Sequence, residues 1–292
     1  MTSEAVSAVE PLLRLGAFAA VFAGVALWEA LAPRRTRRFA RAQRWPHNLA
    51  LLAIDVLAVR LLAPGAAVAV AVAGEAGGWG LLNALALPAW AAVPLAVVAL
   101  DLAIYLQHVL FHAVPALWRL HRVHHADPDF DVTTGTRFHP LEIGLSLGIK
   151  CAVIAALGAP AVAVLLFEVL LNATAMFNHA NGRLPVAVDR RLRWLVVTAD
   201  MHRVHHSMLA KEMNSNYGFN LSWWDRLFGT YRAQPAAGHA AMRIGVTGLS
   251  APAELTLARL LTQPLRNPGR PSAAAAGEPF AAPRPYRKES TS

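Results

Sequence analysis

Residues 101–125 read DLAIYLQHVLFHAVPALWRLHRVHH, and here an apolar segment passes directly into a group of histidines. His108 and His112 are four residues apart, and three further histidines belong to the pentapeptide His-Arg-Val-His-His at 121–125. On an α-helix, side chains at positions i, i+3 and i+4 project from one face. The segment therefore predicts helices that each present several imidazole rings on one side.

The pentapeptide occurs a second time, at residues 202–206, and is the only internal repeat that we find in the sequence. Eight of the twelve histidines lie in the pair 108/112 and in the two pentapeptides. Neutral imidazole is the commonest protein ligand of metals, and these spacings let one helix offer several ring nitrogens to an ion. The clustering predicts a metal site.

The number of histidines predicts two metal ions in an all-nitrogen site, because one ion needs about four protein ligands. His179, in Phe-Asn-His-Ala-Asn, is the best candidate for a ninth ligand. His139, which precedes a proline, is either a tenth ligand or a residue that orients one. Asp101 precedes His108 by seven residues and either hydrogen-bonds a ligand histidine or packs between helices. The predicted ligands are His108, His112, His121, His124, His125, His179, His202, His205 and His206.

The composition is that of a membrane protein. Of 292 residues, 55% are hydrophobic and only 15% are charged. The net charge of +9 is densest in the arginines between residues 34 and 44, directly after an apolar segment. This position is typical of the cytoplasmic flank of a membrane helix and argues against nucleic acid as a partner. Cys151 is the only cysteine, so the chain has no intrachain disulfide and no cysteine-based metal site.

Several apolar segments are long enough to enter the bilayer as helices. They cover residues 15–32, 49–73, 89–106, 141–157 and 161–176. Gly158-Ala159-Pro160 is a turn signal, so the last two segments predict a helical hairpin. Lys150 and Glu168 are eight residues from this turn on either side, and we expect them to pair across the hairpin. The predicted fold is an all-α membrane bundle of about four spanning or re-entrant helices with a cytoplasmic helical cap.

Four regions follow from this pattern. Residues 1–113 form membrane helices that end in the first histidine pair, and residues 114–180 contain the first pentapeptide and the hairpin. Residues 181–262 form the cap with the second pentapeptide. Residues 263–292, rich in Pro, Ala, Ser and Arg, form a disordered tail. If the arginine-rich flank is cytoplasmic, counting the crossings places every histidine cluster and the C-terminus on the cytoplasmic side.

The order of the three histidine clusters resembles that of the fatty acid hydroxylase/sterol desaturase superfamily of integral-membrane diiron oxygenases. Further matching motifs are Asp101 and Tyr105, Leu117-Trp118-Arg119, Arg137-Phe138-His139-Pro140-Leu141-Glu142, Asn216-Tyr217-Gly218 and Trp224-Asp225-Arg226-Leu227-Phe228-Gly229-Thr230. The resemblance covers residues 95–231.

The resemblance implies a four-helix membrane domain whose cytoplasmic cap holds two iron ions. It also implies O2-dependent hydroxylation or desaturation of a lipid, such as a sterol, a carotenoid or a fatty acyl or ether lipid. Electrons would come from a separate ferredoxin, or from a cytochrome with its reductase, since no haem- or flavin-binding segment is visible in the sequence.

Two other functions are compatible with a histidine-rich membrane protein. A metal transporter predicts histidines within the spans, whereas here they cluster just past the predicted membrane exits. A zinc-dependent membrane hydrolase needs a general-base carboxylate beside its ligands, as in His-Glu-x-x-His, and neither pentapeptide contains one. Imidazole binds Fe, Zn, Cu and Ni, so the histidine spacing alone does not name the metal.

Overall fold

The computed structural model of the protein describes residues 3–267, and these residues form helices and connecting segments without a β-strand. The predicted all-α class is confirmed. The α-helices are α1 Ser3–Leu31, α2 Arg41–Leu62, α3 Ala66–Gly77, α4 Leu81–Ala84, α5 Ala89–Ala113, α6 Pro115–His125, α7 Pro140–Leu157, α8 Ala161–Asn178, α9 Val186–Leu192, α10 Ala199–His205, α11 Ala210–Met213, α12 Trp223–Leu227, α13 Gly238–Ala241 and α14 Leu257–Thr262. Short 3₁₀ helices cover Thr134–Thr136, Pro252–Glu254 and Gln263–Leu265.

Five helical stretches in this part of the chain are long and apolar enough to cross a membrane. They are Ala8–Leu31, Arg41–Ala84, Ala89–Ala113, Pro140–Leu157 and Ala161–Asn178. The second stretch is interrupted where Pro64-Gly65 separates α2 from α3, because Gly65 takes a left-handed backbone conformation with φ of 63°. The chain is an integral membrane protein, and the predicted number of about four crossings stays a prediction.

The hairpin of α7 and α8 closely follows the sequence prediction. Gly158 ends α7 in the left-handed conformation, and its backbone packs so closely against Trp79 and Gly80 that a side chain would not fit there. The Lys150 ammonium and the Glu168 carboxylate form the predicted ion pair across the hairpin. This contact fixes the register of two helices that carry few other polar groups.

The arginine-rich segment after α1 is attached to the protein rather than only to the membrane surface. Arg44 is fully buried and contacts Asp127 at 2.6 Å and Asp131 at 2.7 Å. Arg34 contacts Asp200 at 3.1 Å, and Arg35 donates a hydrogen bond to a main-chain carbonyl. The segment therefore holds the polar cap against the membrane helices, a role that charge counting did not predict.

The first residues of the predicted disordered tail are helical instead. Gln263–Leu265 forms a 3₁₀ helix in which Gln263 is fully buried, and Arg122 of α6 donates a hydrogen bond to the Gln263 carbonyl. The tail prediction for residues 268–292 lies outside the described residues.

Candidate metal centre

Nine histidines converge between the ends of the membrane helices and the cap. His108 and His112 lie on the last turns of α5, and His179 directly follows α8. The first histidine group comprises His108, His112, His121, His125 and His205. The second histidine group comprises His124, His179, His202 and His206. Within each group one nitrogen of every ring lies within 4.8 Å of the others. Two ligands on opposite sides of an ion lie about 4 Å apart at bond lengths of about 2.1 Å, so each group can hold one metal ion.

The two pentapeptides are divided between the groups in a reciprocal way. In the first copy, the first and last of the three histidines, His121 and His125, belong to the first group, and the middle histidine, His124, belongs to the second. In the second copy, the first and last histidines, His202 and His206, belong to the second group, and the middle histidine, His205, belongs to the first. Each copy therefore contributes to both groups, which explains why one pattern serves twice.

Hydrogen bonds set the orientation of several rings. The Nδ1 atom of His108 donates to the Tyr217 carbonyl at 2.7 Å, that of His205 to the Ser215 carbonyl at 2.8 Å, and that of His179 to the Ala175 carbonyl at 2.7 Å. A carbonyl oxygen only accepts, so each Nδ1 carries the proton and each Nε2 presents a lone pair.

The lone pairs are placed as a cation requires. The Nε2 atoms of His108, His121 and His205 are buried without a hydrogen-bond partner. The Nε2 atom of His179 lies 3.0 Å from Nε2 of His124 and 3.2 Å from Nε2 of His206. Unpaired buried polar atoms are costly, and facing lone pairs repel each other. A metal ion in each group removes both penalties, so the donor set fits two metals.

Burial keeps the imidazoles neutral. It lowers the pKa of His121 and of His179 to about 3. Burial, followed by the neighbouring histidines, lowers the pKa of His124, His125 and His206 well below its ordinary value. The pKa values of His202 and His205 are shifted in the same direction for the same reasons. Neutral imidazole is the form that binds a metal, so binding here requires little proton release.

Glu142 contacts the candidate metal centre, and the sequence analysis did not single it out. It lies in the first turn of α7, and its carboxylate accepts a hydrogen bond of 2.6 Å from Nδ1 of His121. A carboxylate in this position fixes the ring and strengthens its Nε2 as a ligand. The only sequence signal for Glu142 was its place in the motif at residues 137–142. Since 21 residues separate it from His121, local spacing does not reveal the contact.

His139 and Asp101, the two uncertain candidates, lie outside both histidine groups. His139 caps the N-terminus of α7, where its Nδ1 accepts from the Leu141 amide and its Nε2 faces the Leu261 carbonyl at 3.1 Å. Of the two alternatives for Asp101, its contacts correspond to packing between segments, since its carboxylate accepts from the Asn220 and Leu221 amides. Seven residues of helix span about 10 Å, and the Asp101 carboxylate also accepts from the Trp224 indole at 2.8 Å.

The 3₁₀ helix Thr134–Thr136 packs against the Ala175 carbonyl, which accepts the hydrogen bond from His179. A side chain at Gly135 would approach the Ala175 carbonyl to 2.5 Å and Nδ1 of His179 to 3.3 Å. The preceding residue Thr134 is tied through its hydroxyl to Asp127 at 2.9 Å. The buried Arg44–Asp127 pair therefore reaches the second histidine group through one short 3₁₀ helix.

The fold and the site define a class of protein, a helical membrane metalloprotein with a buried, histidine-only centre at the end of its bundle. A family model for fatty acid hydroxylases matches residues 93–230, which include all nine histidines. Over these residues the chain is similar to the fatty acid hydroxylase family, which agrees with the resemblance drawn from the histidine motifs.

Similar proteins of known activity are lipid-oxidising enzymes. The ornithine lipid hydroxylase OlsE of Rhizobium tropici is 32% identical over 181 residues, which are 61% of this chain and 51% of OlsE. An alkylglycerol monooxygenase of Xenopus tropicalis is 28% identical over 45% of this chain and 28% of its own. A cholesterol 25-hydroxylase-like protein of Danio rerio is 33% identical over 44% of this chain and 51% of its own. The alignments thus span about half or less of these relatives, and no solved structure matches the chain significantly.

Proposed function

We propose that this protein is a membrane-bound diiron oxygenase that hydroxylates a lipid with O2. The observation that carries the proposal is the convergence of nine buried or half-buried imidazoles into two adjacent groups. Four of their Nε2 atoms have no hydrogen-bond partner, and the other five face only the Nε2 atom of another histidine. Two iron ions bound there would supply the O2 activation that the cleavage of an unactivated C–H bond requires. The resemblance of the histidine motifs implies iron rather than zinc, and the names of the relatives, hydroxylase and monooxygenase, are consistent with oxidation chemistry.

The residues of the chain supply ligation, orientation and exclusion of water. The first histidine group would hold one ion and the second group the other. Glu142 and the carbonyls of Tyr217, Ser215 and Ala175 fix the rings. Phe138 stacks on His124 with ring centroids 4.5 Å apart and covers the second group with an apolar surface. Imidazole ligands suit oxidative chemistry, since they resist oxidation better than thiolates do.

The lipid substrate and the electrons would reach the site from different sides, the bilayer and the aqueous phase. Its place at the ends of α5 and α8 suits a lipid that enters from the bilayer. The arginine-rich segment supports a cytoplasmic location for the site, and a ferredoxin or a cytochrome with its reductase would supply electrons from that side.

Hydroxylation is the preferred outcome over desaturation, because the relatives named above are hydroxylases and monooxygenases. Their substrates by name are an ornithine lipid, an alkylglycerol and cholesterol, which share an aliphatic skeleton carrying a polar group. We therefore expect an amphiphilic membrane lipid as the substrate.

Comparative lipidomics tests this function. Cells that express the protein should contain a lipid one oxygen atom heavier than its counterpart in cells without it. The His124→Ala variant should abolish the product while remaining in the membrane, and His47→Ala, outside both histidine groups, should retain it. A product lacking two hydrogens would indicate desaturation instead, and full activity of His124→Ala would contradict the ligand assignment.

A further inference from the structure

The cap carries an exposed apolar surface beside α5. We call it the aromatic face, and it consists of Trp194, Leu195, Trp223, Leu227 and Phe228, which are between 44% and 69% exposed. The members are connected, since the Trp223 indole donates to the Trp194 carbonyl at 3.1 Å and the Ser222 amide donates to that of Leu195. Large exposed apolar patches mark interaction sites.

The lengths of α7 and α8 indicate where the bilayer lies. Each helix has 18 residues and is therefore about 27 Å long, slightly shorter than the hydrocarbon core of about 30 Å. Their cap-side ends touch the histidine groups, through Glu142 on α7 and through His179 after α8. If these helices cross the bilayer, its apolar core must extend nearly to the level of the histidines.

The aromatic face is attached to α5 on the membrane side of that level. The ring of Phe228 stacks on Tyr105 with centroids 5.4 Å apart, and Trp224 of the same short helix binds Asp101. Asp101 precedes His108 by seven residues, about 10 Å along the helix axis. This direction leads toward the α7–α8 turn, because Gly80, shortly before α5, packs against Gly158.

We propose that the aromatic face inserts into the lipid bilayer, so that the cap is partly embedded rather than only resting on the membrane helices. Tryptophan is enriched at the boundary between headgroups and acyl chains, and the leucines and phenylalanine extend the apolar surface there. The Arg226 guanidinium lies over the rings of Trp194 and Tyr231 at 4.0 Å, where the aromatic faces stabilise its charge.

The backbone beside the aromatic face supports this depth independently. Non-helical backbone is tolerated in the apolar part of a membrane only where its polar groups are satisfied by protein. The Asp101 carboxylate accepts from the amides of Asn220 and Leu221, and the Asp225 carboxylate accepts from those of Tyr217 and Gly218 at 2.8 Å. Two buried carboxylates thus accept hydrogen bonds from four of the five amides between Tyr217 and Leu221, the exception being that of Phe219.

This placement brings the site close to the lipid phase. Tyr217, whose carbonyl orients His108, and Phe219, whose ring lies 6.1 Å from that of His108, belong to the loop that leads into the aromatic face. The inference concerns membrane placement and does not depend on the proposed reaction.

Site-directed spin labelling in vesicles tests the proposal. Cys151 is replaced by serine, and a nitroxide is attached in separate variants at Leu195→Cys and Leu227→Cys. Leu166→Cys, exposed on α8, serves as the lipid-facing control, and Ala237→Cys, exposed on the cap, as the aqueous control. The proteins are reconstituted in phosphatidylcholine–phosphatidylglycerol vesicles, and accessibility to O2 is compared with that to a polar nickel chelate.

Labels at positions 195 and 227 should resemble the label at 166, with O2 accessible and the nickel chelate excluded. Nickel accessibility equal to that of the label at 237 would overturn the proposal. Exclusion of both reagents from both positions would also overturn it, because a protein surface, such as a second copy of this chain, would then cover the aromatic face. Two independent positions guard against a local distortion at either one.

Discussion

At the scale of single residues, the centre depends on groups that hold the imidazoles as much as on the imidazoles themselves. Carbonyl oxygens fix the proton on Nδ1 of His108, His179 and His205, so that Nε2 is the available ligand atom. His121 is the exception, since a carboxylate takes the place of a carbonyl. The Glu142 side chain accepts this hydrogen bond at 2.6 Å and thereby orients the ring of His121.

Removing that carboxylate should weaken metal binding. We expect Glu142→Ala to lower metal affinity by about 10- to 100-fold, since it leaves Nδ1 of His121 buried without an acceptor. Glu142→Gln should show a smaller loss, because the amide oxygen still accepts the hydrogen bond. Metal content after dialysis against graded chelator measures the effect, with Glu254→Ala, which removes an ion pair with Arg266, as the control. Equal retention of metal by Glu142→Ala and the unaltered protein would refute this role.

At the scale of elements, the sequence predicts what local pattern determines. The ends of α7 and α8 agree with the prediction within two residues, because Pro140, Gly158 and Pro160 act locally on the backbone. The roles of Glu142, His139 and Asp101 could not be read in the same way. Each depends on which distant segment packs against it, and 119 residues separate Asp101 from the Asn220 amide that it binds.

The buried pair between α2 and the segment after α6 also belongs to this scale. Burial alone would raise the pKa of Asp127, but the charges of Arg44 and Arg137 outweigh it and hold this pKa below its usual value. A carboxyl with a lowered pKa stabilises the fold above the ordinary aspartate pKa of about 4, and this contribution is lost as the pH falls below it.

Breaking this pair should destabilise the protein strongly. Arg44→Ala removes the cation that contacts both Asp127 and Asp131 and, among the described residues, leaves Asp127 with only the Arg137 cation, at 3.5 Å. Removing one partner of a buried ion pair costs about 3–5 kcal/mol. Thermal unfolding in detergent should show a clearly lower Tm than for Arg37→Ala, which removes the same charge from an exposed position. If both variants lose the same stability, the buried pair does not stabilise the packing of α2 against the segment after α6.

At the scale of the whole molecule, the membrane bundle and the cap form a single site. The bundle contributes His108 and His112 from α5 and His179 from the end of α8, and the segments outside the bundle contribute the two pentapeptides. The reciprocal division of these repeats means that neither histidine group is complete without α6 and α10 together. We therefore expect both metals to be lost when the cap separates from the bundle. Neither histidine group should keep its metal alone.

The metal content of the active protein tests the central claim most directly. Protein purified with its O2-dependent activity intact should contain two iron ions per chain, and His205→Ala should lose both activity and iron. A single zinc ion per chain, with activity that persists when O2 is removed, would contradict the diiron oxygenase.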